Sequence, residues 1–260
     1  MKRDGVFWGG ILVVLGVLFL LQTQGLLKDV FTWFWPFFLI LLGGWIILGI
    51  YWRPSVEGGE TFSIALDGAK EASIKFKHGA GQIDIRGGAP ANELLNGSAG
   101  RGMEFSSHKS GDKLEAKVSA GPSFIPFIGP DGGVWRFRLN RDIPLYLRVE
   151  AGASQIEMDL SDLNVPHTRL ATGASTTHLT VPARGVSLLD IEAGAATIDI
   201  RVPEGVAARV RVKQGATSLN IDKSRFPRID SELYQSPNYD QSPNRVEINV
   251  EAGLGAITIK

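Results

Sequence analysis

Gly152, Gly173, Gly194 and Gly215 follow one another at a constant interval of 21 residues, and each is followed by alanine. A fixed period constrains this chain more than any other feature, because it marks one structural unit repeated and stacked. The positions five and three before each glycine, and four and six after it, are Leu147, Val149, Ile156, Met158; Thr168, Leu170, Thr177, Leu179; Leu189, Ile191, Ile198, Ile200; and Val210, Val212, Leu219, Ile221. Two outlying copies keep the rule: Ile74, Phe76, Ile83, Ile85 around Gly79, and Ile248, Val250, Ile257, Ile259 around Gly253. All but Thr168 and Thr177 are apolar, 22 of 24, where a composition of 44% hydrophobic residues gives about 11.

Apolar residues two apart on both sides of a glycine predict two short strands with one face inward, joined by a tight corner. The corner residues are Gly79, Gly152, Gly173, Gly194, Gly215 and Gly253, where a Cβ would obstruct the turn and the close stacking of chains. Pro182 and Pro203 mark the opposite corner. The fold class expected is a single-chain β-solenoid over 69–260 with 21-residue coils about 4.8 Å apart. Insertions interrupt it at about 87–141 and 224–244. The first contains a predicted hairpin, Met103–Ser107 with Lys113–Val118, and a strand Val134–Leu139. Between them lies a Pro/Gly loop, Gly121–Gly133, with an apolar tip of Phe124, Ile125, Phe127 and Ile128. That tip either meets a partner or a membrane surface, or folds back over an open end of the solenoid. The second insertion repeats Gln-Ser-Pro-Asn and reads as an extended surface loop.

The N-terminal part is a different material. Residues 1–53 carry only six of the 54 Asp, Glu, Lys and Arg residues. Val6–Leu21 is uncharged, as is Phe31–Trp52, and about 20 helical residues cross a bilayer. Five of the six Trp fall here, four near the run ends, where indoles favour the headgroup level. These features predict a two-helix transmembrane hairpin over 1–53, with spans at about 6–24 and 31–52, a linker and first strand over 54–68, and the lipid bilayer as a partner. A cleaved leader fits less well, because Leu20–Gly25 offers no small-residue cleavage site. Lys2, Arg3 and Arg53 outnumber Lys28, so the positive-inside rule puts both chain ends, and the β-domain, on the cytoplasmic side of a multi-pass cell-membrane protein.

Charge and motif content narrow the chemistry. Lys+Arg 27 balance Asp+Glu 27, which argues against nucleic-acid binding by bulk phosphate neutralisation. With Cys 0 there are no disulfides, thiolate metal sites or cysteine nucleophiles. The period aligns outward residues into ladders, one of them Glu157, His178, Asp199, Asn220 and another Asp159, Thr180, Arg201, Asp222. A histidine between two carboxylates is expected to hold its proton more tightly; the alternative is a solvated face that avoids stacking like charges. Neither ladder clusters three metal ligands, and His78, His108, His167 and His178 show no paired spacing. His78–Asp84 resembles the start of a dinucleotide loop, but Asp84 replaces the third glycine and no helix follows. No catalytic, cofactor-binding or metal-ligating residue is therefore assigned.

Two segments resemble known families. Phe7-Trp8-Gly9-Gly10-Ile11-Leu12 and Trp35-Pro36-Phe37-Phe38-Leu39-Ile40 resemble the membrane segment of LiaF-like proteins of the bacterial response to cell-wall antibiotics. From Ala69 onward, Gly79-Ala80-Gly81-Gln82-Ile83-Asp84-Ile85 and the later Gly-Ala coils resemble the toast-rack or adhesin-type β-solenoid domain that accompanies it. The resemblance implies an accessory membrane protein that restrains a sensor kinase in envelope-stress signalling, with no catalytic residues to carry over. The expected function is thus a non-enzymatic, membrane-anchored β-solenoid that binds and modulates a membrane partner. A surface-displayed adhesin or scaffold is the alternative, and a polysaccharide-active enzyme a more remote one.

Overall fold

The computed structural model describes residues 60–99, 103–120 and 134–260, together with isolated positions between Leu12 and Gln24 and at Pro36 and Leu39. The chain divides into two units, Met1–Glu57 with Pro122–Gly129, and Gly58–Gly121 with Pro130–Lys260. The second is almost wholly β. Its strands are β1 (Glu60–Ala65), β2 (Glu71–Gly87), β3 (Glu93–Ala99), β4 (Met103–Ser110), β5 (Lys113–Ala120), β6 (Val134–Leu139), β7 (Leu145–Asp159), β8 (His167–Thr180), β9 (Val186–Arg201), β10 (Ala207–Ile221), β11 (Leu233–Gln235) and β12 (Arg245–Ile259).

The six strands that carry a corner glycine are 14 to 17 residues long, far beyond the usual five or six. Each is two short strands in one. In β7 the buried residues are Leu145, Leu147, Val149 and Ala151, then Ser154, Ile156 and Met158, with Gly152 and Ala153 exposed between them. The inward face changes parity at the glycine, so one strand lines two walls of a single core. Parallel pairing then stacks these bent strands in the order β2, β7, β8, β9, β12, β10. Ile83, Ile156, Thr177, Ile198, Ile257 and Leu219 form one inward column and all but Leu219 are fully buried.

Residues 21 apart are paired across β7–β8 and β8–β9. The stack departs from strict succession at its end, where β12 lies between β9 and β10. The segment expected as an extended surface loop is also more structured: β11 pairs with β10, and Phe226, Tyr234 and Tyr239 are buried. Phe226 seals that end beneath the Arg225 guanidinium, 5.0 Å from its ring, which donates to the carbonyls of Val202 and Pro203. At the other end β5 pairs with Glu71–Lys77 of β2 and β6 with Gln82–Gly87, so β5 and β6 together fill the place of one coil. The expected β4–β5 hairpin is present, β1 and β3 continue from β6, and Phe62 of β1 stacks on Phe105 of β4 at 5.5 Å.

The N-terminal expectation requires correction. Among the described residues no helix is long and apolar enough to cross a membrane, so the two-helix hairpin and the two-span, multi-pass location with a cytoplasmic domain are not supported. Most of the expected spans 6–24 and 31–52 lie outside the described residues. The physical reason is that an uncharged run shows side chains leaving water without showing which apolar surface receives them.

The column predicts a graded response to truncation. Ile198→Ala should cost about 2–5 kcal/mol in chemical denaturation, and Leu219→Ala, half-buried on the last strand, less than half as much. Equal losses would show that the two positions are equally enclosed.

Candidate functional site: a groove over the glycine corner

The six corner glycines form a single file across the stack. A Cβ on Gly173 would lie 3.0 Å from the carbonyl oxygen of Gly152, one on Gly194 2.8 Å from that of Gly173, one on Gly253 2.8 Å from that of Gly194, and one on Gly215 2.6 Å from that of Gly253. Gly152 is closer still to the Gly79 carbonyl, whereas Gly79 itself has nothing within 4 Å. None of the six has positive φ, so the requirement here is close approach of backbones and not left-handed geometry. The apolar loop residues Phe124, Ile125, Phe127 and Ile128 lie outside the described residues.

Because the corner carries no side chains, it forms the floor of an open groove of about 1070 Å³. One wall is the column two residues before each glycine, including Lys77, Glu150, Glu192 and Glu251. Behind it stands the column four before, where Lys75, Arg148, Arg169, Asp190, Asn249 and Arg211 lie on successive strands. The two columns are cross-linked by charge. Glu150 accepts from Lys75 Nζ and Arg148 Nε at 2.8 Å, with Lys77 Nζ at 3.5 Å. The Lys75 hydrogen bond foremost, with Arg148 and Lys77, holds its carboxyl down at about 2. Arg169 donates to Glu192 at 2.6 Å, and His167 Nε2 lies 2.9 Å from Asp190.

His78 is a large polar side chain buried beside the groove floor. It occupies the position before a corner glycine that Ala151, Thr172, Ala193, Gln214 and Ala252 fill on the other strands. It is buried, its Nδ1 is 3.0 Å from Ser154 Oγ, and its ring meets Trp135 edge-on at 4.6 Å. Nε2 has no partner among the described residues. Burial penalises the imidazolium and lowers the pKa from 6.5 to about 4.

On the other side of the corner, His178 stands between Glu157 and Asp199, as the ladder predicts, at 4.0 and 3.8 Å, too far for hydrogen bonds. Thr258 of β12 separates Asp199 from Asn220, and Lys260 Nζ bonds Asp199 at 3.0 Å. In the second ladder Asp159 and Asp222 have local work. Each accepts hydrogen bonds from the serine two residues on, Ser161 and Ser224, and so closes a turn. Among the described residues no group of three His, Asp or Glu could hold a metal ion. The groove wall was not singled out from sequence, and His78 entered only as one of four unpaired histidines and the start of a rejected dinucleotide loop; the same period, applied to outward positions before the glycine, brings the wall residues into register.

The family model for the N-terminal domain of toast_rack (DUF2154) matches residues 53–201. Among solved structures, the crystal structure of a candidate cell adhesion protein from Clostridium sporogenes shares the fold, with a TM-score of 0.70 at 22% identity over 78% of this chain and 98% of that one. No curated protein sequence matches.

Gly194→Val should destabilise by about 1–3 kcal/mol, because the Gly173 carbonyl must move, whereas Gly79→Ala should leave the denaturation midpoint nearly unchanged. A second prediction concerns pH. The unfolded chain protonates His78 near 6.5 and the folded chain only near 4, so stability is complete above that window and falls as pH drops through it, by no more than ~3 kcal/mol. Glu150 adds a further loss as pH falls from 4.5 towards 2. A His78→Phe variant, followed by denaturation at pH 7, pH 5 and pH 3, should lose the decline between pH 7 and pH 5 and keep the Glu150 contribution to the decline below it.

Proposed function

This chain belongs to the toast-rack N-terminal domain family, and from that premise we propose that it is a non-enzymatic, adhesin-like protein that acts by holding another macromolecule against the outer surface of its strand stack. The observation that carries this reading is the open groove, floored by backbone and walled by a column in which Glu150 and Glu192 are engaged by lysine and arginine. Such a surface offers many weak contacts in register over several coils, the arrangement that suits an extended partner.

Two partners fit. Extending the LiaF-like resemblance, the partner is a membrane protein such as a sensor kinase, and binding modulates cell-envelope stress signalling. The alternative is a ligand at a cell surface, which makes the chain an adhesin or scaffold; the fold shared with the Clostridium sporogenes protein supports it.

A photo-crosslinking residue at Glu192 in the groove wall, with Asp162 as an exposed comparison position, tests the proposal in the host cell. Specific capture of one sensor protein at position 192 supports the first partner, and capture of an extracellular ligand the second. The same non-specific products from both positions would overturn the groove as the binding surface. Turnover of a glycan, lost in Asp199→Ala or Glu157→Ala, would overturn the non-enzymatic reading.

A further inference from the structure

The position of β12 conflicts with what β9 and β10 encode. Tyr146, His167 and Leu188, each 21 residues after the last, are direct neighbours, but Leu188 and Arg209 lie on opposite sides of Glu247. The connection from β9 to β10, residues 202–206, is as long as the connection 181–185 from β8 to β9, yet it crosses two strand spacings where the other crosses one. Nothing in its length requires the wider step.

Side-chain chemistry points the same way. With β10 placed directly on β9 in the 21-residue register, Val210 meets Leu189, Val212 meets Ile191, Leu219 meets Ile198 and Ile221 meets Ile200, so the inward columns stay apolar. Outward, Arg211 meets Asp190, Lys213 meets Glu192 and Asp222 meets Arg201: three opposite-charge pairs of the kind that stabilise adjacent strands. In the observed order Asn249 and Glu251 stand within the first two pairs. The glycine file is equally tolerant, since Gly215 rests on Gly253 as Gly253 rests on Gly194.

We propose that β12 is a removable strand, and that the chain has a second arrangement in which β10 closes directly on β9 while β12 stands free. The part that moves is already a unit. Arg209 binds Gln235 at 2.7 Å and Asp240 at 2.9 Å and lies over the Tyr239 ring at 4.2 Å, so β10, β11 and the following turn travel together. The hinge is Ser242–Asn244, where Asn244 is bonded to Gly185 and Ala207. The fit of β12 also depends on Gly255, beyond its corner Gly253. Gly255 has a φ of +129°, and a Cβ there would strike the backbone of Ala196. A released β12 carries alternating apolar residues, Val246, Ile248 and Val250, suited to pairing with another sheet edge.

Two measurements on the full chain test this. In native-state hydrogen exchange the amides of β12 should be at least tenfold less protected than those of both β9 and β10, although β12 is an interior strand. Protection equal to or above that of β10 overturns the proposal. The absence of native cysteine allows a second reading, with Glu192→Cys paired to Lys213→Cys. These positions flank Glu251 and sit about 9.6 Å apart in the observed order, beyond the ~7 Å reach of a disulfide, but about 4.8 Å apart once β12 leaves. The disulfide should form slowly, and Gly255→Ala should raise its yield at least threefold. No disulfide, while the Glu192→Cys and Glu251→Cys pair oxidises fully, overturns the proposal; so does loss of the whole β stack, without crosslinking, in the Gly255→Ala variant.

Discussion

The carbonyl of one corner glycine occupies the space where the side chain of the next would begin, and the rest of the domain follows from that contact. Only there can strands of 14 or more residues bend together, change the parity of their inward face and still hydrogen-bond on both sides of the bend. The bend gives the core two walls from one strand. It also strips the corner of side chains, so that the feature that permits stacking creates the groove. Structure and candidate function therefore share one cause, and a change at the glycine file should disturb both.

Around that file the charges serve different ends on its two sides. Before the corner, lysine and arginine of one column reach across to glutamates of the next, and Glu150 gathers three cations. After the corner, the ladder through Glu157, His178 and Asp199 is looser, and Asp159 and Asp222 are committed to turns. Exposed pairs of this kind contribute little to stability singly. Their more direct effect is to fix an ordered charge pattern beside a backbone floor.

The inward columns were legible because each depends on local alternation around a glycine, and Thr168 and Thr177, the two polar exceptions, are buried like all the others but Leu219. The reason for the glycines was only partly legible: stacking contact shows in the spacing, whereas the freedom of Gly79 depends on what lies beyond the first coil. The place of β12 was not legible at all. Its residues obey the same rule as every other coil, so nothing local distinguishes the sixth position from the fifth, and the charges of β9 and β10 favour each other. The burial of His78 was not legible, because a lone histidine gives no periodic signal. The apolar N-terminal runs misled because hydropathy reports avoidance of water and not its geometric solution.

The central claim is that bent strands are stacked in parallel register, with β12 counted among them. Spin labels at Gln82→Cys and Ser218→Cys test it most directly, because these residues belong to one outward column on the first and last of six successive strands. Five strand spacings predict a narrow main distance near ~24 Å between backbones, with any minor population one spacing shorter. A broad distribution, or a main distance well beyond 30 Å, would contradict the account.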